Sequence, residues 1–261
     1  MTETLITDFN QIINIGVNNE PFFFYRGQSK EFNSLTPGVY RKFIVDSSKR
    51  NGYSDIEPSI LQSFKTHTSK LHQDIKVPIN DEEWLFLAQH NGIPTRLLDW
   101  SLNILKALFF AVIDNQNENG ELWSLNVKEL NKLSNINHIV RSDIPIYEYL
   151  IHDAFKFEHE KKDFLINFDS KHLKGFPLAI IPLNIHYKRL EHQEGVFTIH
   201  SKDFKDIVNT LKGKNFLHRL IIPKNKKREY ENNLVKLGIS YDSLFPDFYG
   251  ISKDIERFLT K

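Results

Sequence analysis

The chain has no cysteine, and this absence excludes three kinds of site. None of its 261 residues is a cysteine, so disulfide bonds, thiolate metal sites and cysteine nucleophiles play no part in its fold or chemistry. An excess of charge is missing too, because 34 basic and 33 acidic residues give a formal net charge of +1. No global field would hold nucleic acid or an anionic membrane, and such binding would need a local patch.

Long apolar runs, internal repeats and low-complexity segments are also missing. The first eight residues have neither the basic nor the apolar region of a signal peptide, and no apolar run is long enough to span a bilayer. We therefore expect a cytoplasmic protein with no membrane partner. With 40% hydrophobic and 26% charged residues, the chain can bury a sizeable core. No composition break resembles a linker, so we expect one compact domain over residues 1–261.

Helical and strand patterns are mixed along the chain, which predicts an α+β fold with a mixed or antiparallel sheet flanked by helices. Strands are expected in residues 21–25, 120–127, 176–182, 195–200 and 216–222. Helices are expected in residues 5–13, from Pro58 in a first turn to Ile75, from residue 80 or 81 to Gly92, around residues 105–112, and within residues 203–211, 226–237 and 251–259. An ordered loop is expected over residues 26–41, and a helix-loop-helix junction over residues 84–112.

The segment from Trp84 to Ser101 places many polar side chains in an otherwise apolar stretch. Such groups are costly to bury unpaired, so they either satisfy one another or face a ligand. The polar residues are Gln89, His90, Thr95, Arg96, Asp99 and Ser101. We predict a site here, and its apolar floor is expected to consist of Leu97, Leu98, Trp100 and Phe109.

Three motifs carry a resemblance to a known family. They are Phe24-Tyr-Arg-Gly-Gln28, Leu87-Ala-Gln-His-Asn-Gly-Ile-Pro-Thr-Arg-Leu-Leu-Asp-Trp-Ser101 and Arg189-Leu-Glu-His-Gln-Glu-Gly-Val-Phe-Thr198. Residues 237–247 also fit the closing pattern of that family. The chain is thereby identified as a member of the FRG-domain family, named for its Phe/Tyr-Arg-Gly signature, over nearly its whole length. The resemblance implies no particular reaction, so the chemistry has to be argued from the side chains.

Arg26 follows an aromatic strand and precedes Gly27, which would let a ligand approach the backbone closely. Its planar guanidinium can grip a phosphate or a carboxylate through two parallel hydrogen bonds. Alternatively, Arg26 pairs with an internal carboxylate such as Asp99. Arg26 can also do both, if its pairing with the carboxylate orients the guanidinium toward a phosphate. Gln28 is placed with Arg26 as a nucleotide-binding candidate, together with Gln89, Thr95, Arg96, Asp99 and Ser101 of the middle motif.

His90 could act as a general base, a hydrogen-bond donor or a metal ligand, or it could be structural. The histidines form no His-x-x-x-His pair with a helical glutamate, so no metal site is predicted. Thr95 and Arg96 follow a proline that fixes the turn, and we expect them to project into a cleft. Asp99 is expected to hold Arg96 or Arg26, or else to cap the helix that follows.

Gln193 and Glu194 precede a short strand, and one of them should point inward to position a ribose hydroxyl or an attacking group. The order of Arg26, the block of residues 95–101 and this pair is similar to the motif order of ADP-ribosyltransferases. In those enzymes the arginine holds the phosphates of the dinucleotide and the late glutamate orients the ribose or the acceptor. The resemblance implies NAD as cofactor and a protein or nucleic acid as acceptor, in the manner of a toxin or a phage-defence enzyme.

Two other classes of function stay open. A phosphodiester hydrolase would use His90 as its base, with Arg26 and Arg96 on the phosphate. A binding module for a nucleotide or nucleic acid would use the basic segments Lys212-Gly-Lys214 and Lys224-Asn-Lys-Lys-Arg228, which could equally be solvated faces. All three readings share one geometric prediction, a single cleft lined by Arg26, Gln28, His90, Thr95, Arg96, Asp99 and Gln193.

Overall fold

The computed structural model describes residues 2–19, 22–43, 53–68, 78, 81–141, 176–182, 187–200 and 206–259. Within these ranges the chain forms eight strands and eleven helices, which confirms the α+β class. The strands are β1 (Thr2–Leu5), β2 (Phe23–Gln28), β3 (Leu97–Ser101), β4 (Gly120–Asn126), β5 (Val140–Arg141), β6 (Leu178–Ile181), β7 (Gly195–Ile199) and β8 (Leu217–Ile222). The helices are α1 (Phe9–Asn18), α2 (Gly38–Phe43), α3 (Tyr53–Thr68), α4 (Asp81–His90), α5 (Ile104–Val112), α6 (Val127–Lys132), α7 (Lys188–His192), α8 (Ile207–Thr210), α9 (Lys224–Lys236), α10 (Tyr241–Leu244) and α11 (Phe248–Leu259). None of these helices is long and apolar enough to cross a membrane.

The strands form one mixed sheet in the order β1-β8-β4-β2-β3-β7-β6-β5. The two outermost pairs, β1 with β8 and β5 with β6, are parallel, and the inner pairs are antiparallel. At the centre, β2 pairs with β4 along all of Phe23–Gln28 but with β3 only at Tyr25 and Ser101. The ladder between β2 and β3 is therefore short, and beyond Tyr25 and Ser101 the two strands are not joined by backbone pairing.

Two apolar clusters cover the same face of this sheet. One is built by α1, α5 and α9 over β4 and β8 and contains Tyr25, and the other is built by α3 and α4 over β6 and β7 and contains Leu97. Tyr25 is the cross-strand partner of Ser101, which lies four residues after Leu97 on β3. Cross-strand partners and alternate residues of a strand share a face. The two helical layers therefore lie side by side, while Leu98 and Trp100 pack into a third cluster on the opposite face.

Helix α5 packs closely on β2 because Gly27 has no side chain. A Cβ at this position would lie 2.7 Å from the amide nitrogen of Ala111 and still closer to the carbonyl oxygen of Ala107. The space that the missing side chain leaves is therefore filled by the backbone of α5. The helix begins after Asn103, whose side chain accepts hydrogen bonds from the amides of Leu105 and Lys106.

Several predicted elements are wrong in type or extent. Residues 97–101 form β3 at the centre of the sheet, so the middle motif is a helix-loop-strand unit and not a helix-loop-helix junction. Leu5 ends β1, an edge strand that was not predicted, and the first helix starts at Phe9. Pro58 lies inside α3 because the helix already begins at Tyr53, and the predicted continuation to Ile75 lies outside the described residues. Residues 26–28 continue β2, and α2 interrupts the expected loop.

Candidate functional site

A cavity of about 630 Å³ lies where the two helical layers meet, over β2, β3 and β7. Helices α4 and α5 line it from the two layers, and α7 lines it from a third side. Its volume falls in the range of small-molecule sites, about 300 to 1,000 Å³. The cavity brings together residues from the three distant motifs of the sequence. Those of the predicted set that line it are Arg26, Gly27, Gln89, His90, Asp99, Ser101 and Gln193.

Arg26 reaches from β2 to β3 beyond the last backbone pair. Its Nη1 donates to the main-chain oxygen of Asp99 at 2.7 Å, and the carboxylate oxygen Oδ2 of Asp99 lies 3.9 Å from the same nitrogen. Its Nε is buried and has no hydrogen-bond partner in the described part of the chain. Burial lowers the pKa of Arg26, and the negative charge of Asp99 opposes this shift. The guanidinium is thus anchored by one contact to β3 and keeps donor capacity beside the cavity.

Asp99 carries its carboxylate on the cavity at the end of a hydrogen-bond chain. The Nε2 of Gln89 donates to Oδ2 of Asp99 at 2.8 Å, and Oε1 of Gln89 accepts from the hydroxyl of Thr95. The amide of Leu97 in turn donates to Oγ1 of Thr95 at 3.1 Å. The side chain of Asp99 is 58% exposed. Capping of α5 falls to Asn103, so the alternative role of Asp99 as a helix cap is wrong.

Thr95 and Arg96 are buried and do not project into the cavity, contrary to expectation. Arg96 is held by Glu57 of α3, whose two carboxylate oxygens accept from Nε at 2.5 Å and from the main-chain amide at 2.6 Å. A buried guanidinium needs such a partner, because an unpaired charge in the interior is costly. Asp99 therefore lies beside Arg26, and Glu57 is the carboxylate that holds Arg96.

Gln28 also lies outside the cavity lining, since its Oε1 accepts from the indole of Trp123 at 2.9 Å within the buried sheet. The predicted apolar floor is only partly correct. Trp100 borders the cavity from β3, but its side chain packs into the third apolar cluster on the opposite face of the sheet. Leu97, Leu98 and Phe109 pack into the three apolar clusters. The apolar lining is completed by side chains that were not predicted, namely Phe86, Ala107, Phe110, Leu190 and Phe197.

His90 ends α4 at the cavity wall and stacks on the ring of Tyr187, with centroids 4.8 Å apart and ring planes at 15°. Burial lowers the pKa of His90, the positive charge of Arg189 lowers it further, and Asp247 opposes the shift. The neutral imidazole is therefore favoured at neutral pH. A neutral ring can accept a proton or a hydrogen bond, and the stacking equally suits a wall for a planar ligand.

Of the pair before β7, Gln193 is the residue at the cavity. Its Nε2 donates to the main-chain oxygen of Leu244 at 3.2 Å, and its own main-chain oxygen accepts from the hydroxyl of Ser101 at 2.7 Å. Glu194 is not part of the lining, because its carboxylate pairs with Lys106 at 2.8 Å and accepts from Asn103. The arginine and the glutamate that suggested the transferase motif order therefore do not meet at one site.

Arg189 and Asp247 line the same cavity and were not assigned a role from the sequence. The guanidinium of Arg189 lies over the ring of Phe245 at 4.1 Å. Burial lowers its pKa, while the negative charges of Asp247 and Asp99 raise it. One signal could have identified Arg189: it precedes Gln193 by one helical turn in the quoted third motif, so the two side chains share a face.

The basic segment Lys224–Arg228 does not present all of its lysines to solvent as a free cationic surface. Lys227 is fully buried and donates to the main-chain oxygens of Ser29, Asp114 and Asn115. Lys226 pairs with Glu229 at 2.7 Å. In the described ranges, no group of three or more histidine, aspartate and glutamate side chains is placed to hold a metal ion.

The family model of the FRG domain matches residues 22–120. This range contains β2, α4, β3 and α5, and it therefore supplies Arg26, Gln89, His90 and Asp99 of the cavity. Arg189, the remaining guanidinium of the lining, comes from the chain beyond the match. No curated protein and no solved structure matches this chain.

Proposed function

We propose that the chain, whose residues 22–120 match the FRG-domain model, binds a nucleotide in the cavity, with NAD as the candidate ligand. One observation carries the proposal. Two arginine side chains, Arg26 and Arg189, line the same cavity. The one carboxylate paired with Arg26 among the described residues, that of Asp99, lies 3.9 Å away, and the buried Nε of Arg26 has no hydrogen-bond partner among them.

The phosphates of a nucleotide would supply an anionic partner closer than the 3.9 Å that separates Arg26 from Asp99. A partly buried guanidinium without a close anion is unfavourable, and a phosphate offers acceptors in the geometry of the fork. Arg26 already uses Nη1 on the main chain of Asp99 and leaves Nε unpaired. Arg189 is oriented by its stacking on Phe245, which leaves the edge of its guanidinium plane for a ligand. An anion between them would also offset the desolvation of both charges.

The aromatic lining suits the planar parts of the same ligand. Phe110 lies on the cavity, and the stacked pair of His90 and Tyr187 forms one wall. Aromatic faces bind nucleobases and pyridine rings by stacking, whereas polar groups at the same site fix their orientation. The combination of two cations with aromatic walls favours a nucleotide over a simple anion such as sulfate.

Calorimetry and thermal shift with NAD, ADP and adenosine test this proposal. NAD at a hundred times its dissociation constant should stabilise the chain by about 2.7 kcal/mol, and adenosine, which lacks phosphate, should bind far more weakly. Arg26→Lys should weaken NAD binding on the order of tenfold or more, because an ammonium cannot replace the fork. Arg228→Lys, an exposed change on α9, is the matched control. The proposal fails if NAD causes no shift, or if Arg26→Lys binds as tightly as the wild type.

A second candidate, cleavage of NAD with transfer of ADP-ribose to a protein or nucleic acid, is favoured by the exposed carboxylate of Asp99. When the bond between C1′ and nicotinamide breaks, its electron pair leaves with nicotinamide and positive charge develops on the ribose. A fixed carboxylate stabilises such charge, and a well-placed group contributes about 100-fold or more to the rate. Asp99 is available for this role, whereas Glu194 pairs with Lys106.

Nicotinamide release in the presence of a mixed pool of protein, DNA and RNA tests the second candidate. Asp99→Asn should slow the release roughly a hundredfold, and Glu194→Gln should leave it within a few-fold of the wild type. If NAD binds but no acceptor pool yields nicotinamide, the cavity is a binding site without this activity. A loss in Glu194→Gln with none in Asp99→Asn would contradict the role of Asp99 and return it to the pair before β7.

A further inference from the structure

The hydrogen-bond chain that ends at Asp99 gives the cavity a second recognition element beside its arginines. We propose that the carboxylate of Asp99 accepts hydrogen bonds from the ribose hydroxyls of the bound nucleotide, and that Gln89 and Thr95 are the positioning residues that aim it. The cavity would then recognise the sugar as well as the phosphates. This inference rests on the proposed nucleotide binding and deepens it.

Asp99 lies where the ribose of a nucleotide would lie if Arg26 held the phosphate of that nucleotide. Its main-chain oxygen accepts from Nη1 of Arg26, and its carboxylate lies 3.9 Å from that nitrogen. Its charge also reaches Arg189, whose pKa it raises. A phosphate held by Arg26 therefore places the next part of the ligand beside Asp99. An ionised carboxylate only accepts hydrogen bonds, so it repels phosphate oxygens and suits hydroxyl donors. In a nucleotide, the donors close to the phosphates are the ribose hydroxyls.

The direction of the hydrogen bonds explains why the middle motif contains both Gln89 and Thr95. The amide of Leu97 donates to Oγ1 of Thr95, so the hydroxyl proton of Thr95 is directed to Oε1 of Gln89. With its oxygen occupied, the side-chain amide of Gln89 presents Nε2 to Asp99 and donates to Oδ2. One carboxylate oxygen is thereby fixed, and Oδ1 is left for a ligand on a side chain that is 58% exposed.

A structural role and a positioning role for Thr95 make different predictions. Thr95 is fully buried, so any change of size at this position lowers stability. Thr95→Val keeps the shape but removes the hydroxyl, and Gln89 then loses the contact that orients its amide. Preference for a ligand with sugar hydroxyls should fall in this variant. Thr95→Ser restores the hydroxyl and should restore the preference, even though it removes a methyl group from the interior.

The test compares the affinity of the full chain for ADP and for 2′,3′-dideoxy-ADP, which lacks both hydroxyl donors. We expect the wild type to bind ADP about tenfold or more tightly than the dideoxy compound. Asp99→Ala should remove this preference and Thr95→Val should reduce it. Thr95→Ser should keep it, as should Asp114→Ala, a change at an exposed aspartate outside the cavity lining.

The possible outcomes separate this inference from the proposal on which it rests. Equal affinity of the wild type for the two compounds, with both weakened by Arg26→Lys, would overturn the role of Asp99 and leave nucleotide binding intact. Failure of the wild type to bind either compound would overturn the nucleotide proposal itself, and the inference with it. Equal weakening of both compounds in Thr95→Val would show that Thr95 acts on stability alone. If Asp99→Ala does not fold, the comparison of Thr95→Val with Thr95→Ser decides the question.

Discussion

Removal of the Glu57 carboxylate should destabilise the fold more than any surface ion pair does. Glu57 and Arg96 form a pair with side chains only 3% and 6% exposed, and Glu57 also accepts from the main-chain amide of Arg96. Glu57→Ala removes an acceptor from the buried guanidinium and from the main-chain amide of Arg96. Loss of one member of a buried pair costs about 3 to 5 kcal/mol, which is a large part of the roughly 5 to 15 kcal/mol that stabilises an ordinary domain.

Urea denaturation of the wild type, Glu57→Ala and the double variant Glu57→Ala with Arg96→Met measures this effect. The double variant should recover part of the loss, because the buried charge that Glu57 accompanies is then removed as well. Glu129→Gln is the matched control, since Glu129 and Lys132 are each 41% exposed and such pairs contribute about 0 to 1 kcal/mol. A loss below about 1 kcal/mol in Glu57→Ala would refute the claim that this pair holds the loop before β3.

Two further predictions concern packing and pH. Gly27→Ala should lower the free energy of unfolding by about 1 to 3 kcal/mol, because the new Cβ would lie 2.7 Å from the amide nitrogen of Ala111; unchanged urea denaturation would contradict it. Because the pKa of His90 is lowered in the folded chain, the unfolded chain binds this proton first as pH falls. Stability should therefore decrease as pH drops below about 6.5. His90→Gln should flatten this dependence in thermal melts between pH 5 and 7, and an identical slope would contradict the assignment.

The strongly patterned elements of the fold could be predicted from the sequence, and the exceptions have physical reasons. The alternating pattern of β4 and the short apolar runs of β7 and β8 identify these strands. β3 was assigned to a loop before a helix because a short apolar run such as Leu97-Leu98 suits a buried strand and a helix equally well. β1 is exposed along all four residues, and its parallel pairing with β8, some two hundred residues later in the chain, leaves no local signal.

In the candidate site too, contacts between residues close in sequence could be predicted, whereas contacts between distant residues could not. The polar residues of the middle motif were expected to satisfy one another or face a ligand. In the structure Thr95, Gln89 and Asp99 form a hydrogen-bond chain, and Asp99 lies on the cavity. Arg96 could not be assigned from the sequence, because its partner Glu57 lies 39 residues earlier on α3. Burial decides which polar residues line the cavity and which are paired in the interior, and burial depends on the whole fold.

A crystal structure of the chain with NAD bound tests the central claim most directly. The account predicts density in the cavity over β2, β3 and β7, with the phosphates within hydrogen-bond distance of Arg26 or Arg189 and a ribose beside Asp99. The same ligand should be missing, or bound with weak density, in Arg26→Lys crystals grown under the same conditions. NAD bound elsewhere on the surface, or an empty cavity at saturating NAD, would contradict the account.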